Sequence, residues 1–399
     1  MVMAGVVLAL VLAGAVCEFP VFTRAFFPKK AMTLSKRIGE VRKRCAERFP
    51  LREGFVTLNG LCVRLAGQHL CNDVVKMEPG DLLISPSPRK VKMKSSAANV
   101  WRFSEFCKAN GAVFLYVLAP KRLDLRQSLL PPGFRDAAYR NADELVASLQ
   151  DRGVAFADWR ERFAATPDLV RANFYRTDHH WNTDASFAAA GLLAGEICGR
   201  LPVPEEDAIR ARNLLDPGSW KRETMRQCFL GSLGKRTGPG FSGYDDVVVL
   251  RPGFKTKMSM EVPSRKISVK GTFEKTVMRR WKELLSIEDG FVSDAYSMVY
   301  IGGLYPFVRH HNPLAPLKVR VLLIGDSFAR PVEAFLSTAV RDLVAIDPRR
   351  RNPKHKGLAD MVRQERPDIV IQLQNPSSFP ADIMKGPKTG KAVMFEYGL

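Results

Sequence analysis

The chain has 399 residues, 46% of them hydrophobic, which is enough for one large core or two modest ones, so folding needs neither a structural metal nor a dense disulfide framework. A formal net charge of +20 spreads a positive field over the surface and draws anionic partners without naming one. No zinc-finger or RNP-like motif and no interleaving of basic with aromatic residues supports nucleic acid as that partner.

In chain order, residues 2–16 carry no charge and end near Ala13-Gly14-Ala15, the pattern of a secretory leader with a small-residue cleavage site. Export is the expectation. The apolar run is short of the roughly 20 residues that cross a bilayer, but continued to Phe27 it would serve as an uncleaved membrane anchor, so 1–27 is assigned as signal peptide or anchor. Cys17, Cys45, Cys62, Cys71, Cys107, Cys198 and Cys228 permit disulfides without requiring them, with Cys62 and Cys71 bracketing one short loop. Their spacing lacks the paired CxxC of a structural zinc site. No metal and no cofactor is expected.

Residues 28–110 read as an N-terminal packing region, with a basic, helix-compatible stretch over 32–49 and a turn at Pro50. Residues 111–119 form a continuous β-prone apolar run stopped by Pro120, which predicts a strand buried on both faces. A helix over 141–150 and a short strand over 153–158 follow. Residues 202–312 are rich in Lys, Arg, Gly and Ser with weaker alternation, and read as an insertion or specificity region with a helical patch at 273–285. The end of the chain is clearest: strand 319–324, the turn Gly325-Asp326-Ser327, helix 332–340, strand 343–346, helix 358–365 and strand 368–373. The basic run at Arg349 to Arg351 falls where a loop is expected and reads as solvated. Strands alternating with helices predict an α/β fold with a parallel sheet and helices on both faces, its first part at 111–201 and its second at 313–399.

A strand ending in Gly-Asp-Ser puts Ser327 on a tight turn above the carboxyl edge of the sheet, where ligands gather. A serine hydroxyl needs a base in reach and a third group to hold that base's tautomer. Asp178-His179-His180-Trp181 offers both: in an extended segment residues i and i+2 share a side, so Asp178 orients His180 while His179 faces away. Trp181 is assigned to a pocket wall or the core. His310 and His311, before the serine strand, are expected to lie outside the site.

Paired in this order, Thr177-Asp178-His179-His180-Trp181-Asn182 and Leu323-Ile324-Gly325-Asp326-Ser327-Phe328 resemble the SGNH hydrolase-like proteins of the alginate O-acetylation type, including the group named for its DHHW motif. Weaker echoes are 48–52, Ala119-Pro120-Lys121 and 368–371. The resemblance implies an SGNH (flavodoxin-like) parallel sheet with permuted motif order and a triad of Asp178, His180 and Ser327. It also implies an extracytoplasmic, periplasmic enzyme that moves acetyl groups onto hydroxyls of an anionic or neutral polysaccharide, beside a membrane-bound O-acyltransferase that supplies acetyl. A carbohydrate O-acetyl esterase and a non-catalytic polysaccharide-binding assembly protein are the alternatives. Trp181, Arg330 and Asn375 are the expected substrate contacts, with Asn375 standing in for the separate Gly and Asn blocks of ordinary SGNH enzymes. The late segment Gln372-Leu373-Gln374-Asn375 lacks the acidic residue often found there in the family.

Overall fold

The apolar run after residue 111 becomes the strand Val113–Leu118, five of whose six residues are buried, because helices cover both of its faces. The computed structural model describes residues 52–77, 82–278, 299–350, 357–379, 395 and 397–399. The leader or anchor at 1–27, the basic stretch at 32–49, Cys17, Cys45 and the end of the basic run lie outside them. Within the described residues no helix is long and apolar enough to cross a membrane, and Cys62, Cys71, Cys107, Cys198 and Cys228 are all free thiols.

Strands β1 (Leu70–Cys71), β2 (Val74–Lys76) and β3 (Leu83–Ile84) form a small antiparallel sheet. The central sheet holds β4 (Val113–Leu118), β5 (Phe156–Asp158), β8 (Met258–Val262), β9 (Ile267–Gly271), β10 (Phe307–His311), β11 (Leu317–Gly325), β12 (Val340–Ile346) and β13 (Ile369–Gln374), while β6 (Trp220–Phe229) and β7 (Asp245–Pro252) make a separate ribbon. Its order is β5-β4-β13-β11-β12-β10-β8-β9. The first five strands are parallel and the last three antiparallel.

Alternate residues of the parallel strands feed two cores, because successive side chains leave opposite faces. Leu115, Val117, Leu323, Ile371 and Leu373 pack on one side with the helices Thr183–Arg200 and Ala329–Ala339. Phe114, Tyr116, Leu322, Ile324 and Val370 pack on the other with Lys94–Ala109, Ala138–Gln150 and Leu358–Glu365. Gln372 and Gln374 are buried in β13, where the hydroxyl of Tyr397 donates to Gln372 (2.8 Å) and that of Tyr116 to the Gln374 oxygen (3.1 Å).

The stretch 202–312, expected as an insertion or specificity region, supplies β8, β9 and β10, which extend the sheet beyond β12. Their alternation of buried and partly exposed residues, clearest in β8, belongs to antiparallel strands and is a weaker signal than the solid apolar runs of the parallel ones. Of the helical patch expected over 273–285, Phe273–Thr276 is a helix and 279–285 lie outside the described residues.

Candidate active site

Four neighbouring parallel strands end on the same side of the sheet, and the chain leaving each contributes to one cleft of about 330 Å³. Lys121 and Arg122 follow β4, Asn375, Ser377 and Ser378 follow β13, Ser327 follows β11, and Arg349 follows β12; all line the cleft, as do His179 and Phe328. This is where an open parallel sheet binds ligands, because strand ends and helix starts leave backbone groups facing outward there.

The Gly325-Asp326-Ser327 turn is rigid for local reasons. A Cβ on Gly325 would fall 2.4 Å from that of Ala329 and 2.9 Å from the carbonyl oxygen of Leu373, so only glycine lets the turn pack. The buried Asp326 carboxylate then ties three segments together, accepting from the backbone N–H of Phe328 (2.9 Å), the backbone N–H of Asn375 (2.8 Å) and the Ser378 hydroxyl (2.6 Å). Ser327 itself is half-buried and makes no hydrogen bond among the described residues.

The second motif sits on a closed turn. A lone bridge pairs Phe174 with Trp181, and Asn182 caps the following helix by accepting from the Ala185 N–H at 3.0 Å. Between them Asp178 Oδ1 accepts from His180 Nδ1 at 2.5 Å and from the His180 backbone N–H at 2.9 Å, while Oδ2 accepts from the Ser232 N–H at 2.7 Å. With Nδ1–H donated to the carboxylate, Nε2 of His180 is left as the acceptor. Burial pushes the Asp178 carboxyl up, but His180, His179 and the hydrogen bonds it receives outweigh that and hold it well below the usual carboxylate range.

His179 does not face away. Residues 176–180 are bends, not extended chain, so strand alternation does not govern them. The His179 ring lies 3.8 Å from that of His180 and lines the cleft, its Nδ1 bonded to the Ser232 hydroxyl at 2.8 Å. His180 is buried behind it, with its ring centroid 5.1 Å from that of Phe328, the residue after Ser327.

Of the three expected substrate contacts, only Asn375 lines the cleft, and its side chain is already engaged, donating to the Pro120 carbonyl at 2.5 Å and accepting from the Ser377 N–H at 2.9 Å. Trp181 is a core residue: its indole N–H donates to the Phe328 carbonyl (3.1 Å), and its ring packs 5.3 Å from Phe328 and 5.8 Å from Phe163. Arg330 is buried in the helix after Ser327, where it pairs with Glu333 (2.6 Å) and donates to the Tyr305 carbonyl. The helix turns Arg330 inward, away from the cleft, which corrects its expected role. His310 bonds the same Glu333 at 2.8 Å and His311 bonds Asp342 at 2.7 Å, so neither belongs to the cleft.

Several residues that hold the site carry no motif of their own. Asp245, at the start of β7, accepts from the backbone N–H of Arg176 (2.9 Å) and from the backbone N–H (2.8 Å) and hydroxyl (2.6 Å) of Thr177. Gly231 donates to the Thr177 hydroxyl at 2.8 Å. Arg122 reaches the same turn from β4; burial lowers its pKa to about 10, with Asp178 and Asp245 opposing the fall. The basic run is also not merely solvated: Arg349 pairs with Asp347 at 2.8 Å and lines the cleft.

Asp178, His179 and His180 present one ligand atom each within 4.8 Å of one another, the one such group among the described residues. The Asp178 oxygens and His180 Nδ1 are already spent on each other and on Ser232, which makes the cluster a hydrogen-bonded pair in preference to a ligand set. A larger groove of about 640 Å³ beside the helix Thr183–Arg200 contains no residue of either motif. Chemistry, not size, assigns the site to the smaller cleft.

Similarity to known proteins bears on the fold. Residues 81–216 match the family described as SGNH hydrolase-like domain, acetyltransferase AlgX; the match includes Asp178 and His180 and stops before Ser327. No curated protein matches the chain. Among solved structures, Bacillus cereus PatB1 with a sulfonyl adduct is similar over 82% of this chain and 97% of its own, at 17% identity and a TM-score of 0.61. PatB1 without the adduct gives 17% identity and 0.62 over 81% and 99%. A DHHW family protein from Eubacterium siraeum gives 17% identity and 0.55 over 77% and 92%. At such identities these structures establish a shared fold, the SGNH-like α/β sheet expected from the two motifs.

Proposed function

We propose that the protein is an extracytoplasmic O-acetyltransferase that moves acetyl groups onto polysaccharide hydroxyls through an acyl-serine intermediate. The observation that carries this reading is the convergence of the Ser327 turn and the Asp178–His180 pair at the carboxyl ends of the parallel strands, in a chain whose residues 81–216 match an acetyltransferase domain. Ser327 Oγ attacks the acetyl carbonyl while His180 Nε2 takes its proton, and Asp178 steadies the imidazolium that forms. In this reading substrate binding brings the Ser327 hydroxyl and His180 Nε2 into hydrogen-bond reach. The donor's leaving group departs with the proton from His180, and Ser327 holds the acetyl ester. A sugar hydroxyl then gives its proton to His180 and attacks the ester, which frees Ser327 and leaves acetyl on the sugar.

In this reading 1–27 exports or anchors the chain, a membrane-bound O-acyltransferase supplies acetyl, and the acceptor is a polysaccharide. The deciding experiment incubates the protein with an acetyl donor and candidate oligosaccharides and compares it with Ser327→Ala by mass spectrometry. Acetylated sugar from the intact protein and none from the variant is expected. Acetylated sugar from Ser327→Ala at full rate overturns the mechanism, and free acetate with no sugar product makes the protein an esterase.

A further inference from the structure

Arg122 stands four residues past the end of β4, and a single nitrogen of its guanidinium, Nη1, donates to the carbonyls of Tyr175 (2.5 Å), Arg176 (2.8 Å) and Asp178. The residue is 1% exposed, and its other two nitrogens, Nε and Nη2, are buried without a hydrogen-bond partner. Unmatched buried donors carry a desolvation cost that an apolar side chain of similar volume avoids, so stability alone is a poor account of this residue. The carbonyls it gathers belong to the turn bearing Asp178 and His180, which the Phe174–Trp181 bridge closes and to which the N–H groups of Leu83, Leu233 and Gly234 also bond.

We infer that Arg122 is a positioning residue for acyl transfer: it draws three carbonyls of the 175–178 turn to one point, so that the Asp178 carboxylate and the His180 ring keep the orientation needed to take the Ser327 proton. The inference rests on the roles proposed above for those three residues. Arg122 touches none of the reacting atoms and acts through the turn. Asp245 holds the same turn by its N–H groups on the opposite side, so the backbone is gripped by both its donors and its acceptors.

The test is a double-mutant cycle on the full chain, with Arg122→Met, His180→Ala and the pair, reading kcat, KM and the rate at which a sulfonyl fluoride labels Ser327. A misplacement of about 1 Å at a reacting pair costs on the order of 10²-fold in rate, so Arg122→Met is expected to lose about that much kcat and labelling rate with KM nearly unchanged. In the His180→Ala background the same change is expected to cost nothing further, because no imidazole remains to be held. Arg122→Lys, whose ammonium offers three N–H donors to the same carbonyls, is expected to recover part of the rate.

Wild-type kcat in Arg122→Met overturns the inference, as does an equal loss with and without His180. Arg122→Gln replaces the Met variant should that one not fold. If the intact protein neither transfers acetyl nor labels, the proposed function fails, and the imidazole N–H proton of His180 still decides the case for Arg122 by NMR. That proton, held by Asp178, is expected to shift or broaden in Arg122→Met; an unchanged resonance overturns the positioning role.

Discussion

Gly231→Ala adds one methyl group at the back of the 176–180 turn and is expected to disable it. A Cβ at position 231 would lie 2.3 Å from the Asp178 Cβ and 2.6 Å from its Cα and backbone nitrogen. Gly231 is not among the residues of positive φ, so alanine's own backbone preference is not at issue and crowding is the whole effect. Restoring ordinary contact takes a displacement of about 1 Å, and neither side yields cheaply. Gly231 is bonded to the Thr177 hydroxyl and Ser232 to the Asp178 carboxylate, while Asp245 and Arg122 grip the same turn through its N–H groups and its carbonyls. Overpacking of this kind costs about 1–3 kcal/mol in stability, and an Asp178 displaced by about 1 Å costs on the order of 10²-fold in rate. Calorimetry reads the first, and the rates of acetyl transfer and of sulfonyl labelling at Ser327 read the second. A Gly231→Ala protein with unchanged melting temperature and full rate would refute the reasoning, because the 231–234 segment would then be free to retreat from Asp178.

Trp181→Ala removes a fully buried indole that links the histidine turn to Phe163 and Phe328, and a loss of about 3–5 kcal/mol is expected; denaturant unfolding with a loss under about 1 kcal/mol would contradict its core placement. Acid should destabilise the fold through Glu333 as well as Asp178. Burial pushes the Glu333 carboxyl up, but Arg330 and His310 outweigh it and hold it below its ordinary value. A depressed carboxylate contributes stability that is complete above its unfolded pKa, about 4.3 for Glu, and that disappears as pH falls through the folded value. The melting temperature is therefore expected to drop on acidification below about pH 5, and less steeply in Glu333→Gln, which starts lower at neutral pH because Arg330 loses its buried partner. Parallel curves for the two proteins would remove Glu333 from the account.

Local sequence was most informative where one kind of environment surrounds a whole element. The parallel strands β4, β11, β12 and β13 are buried on both faces, so each reads as an apolar run whatever its neighbours, and their helices read from 3.6-residue spacing. Gly325-Asp326-Ser327 announced its turn because Gly, Asp and Ser are turn residues placed straight after an apolar strand, although the contacts that fix it reach Leu373, Asn375 and Ser378 far along the chain. Strands β8, β9 and β10 gave weaker signals because their residues alternate between buried and partly exposed, and the pairing of β10 with β8 and β12 joins segments far apart in the chain.

What tertiary structure alone decided is which side chains share the cleft. The amino-acid order set out two reactive motifs about 150 residues apart and the α/β frame able to join them. Whether Trp181 lines a pocket or fills a core, whether His179 turns out or in, and that Arg330 pairs inside its helix, depended on packing against segments with no local mark. Arg122, Gly231 and Asp245 hold the histidine turn from three separate places in the chain, and each looks ordinary in its own stretch. A side chain's partner is set by where the backbone of distant residues comes to lie, and that is a property of the assembled sheet and its loops, absent from any window of neighbouring letters.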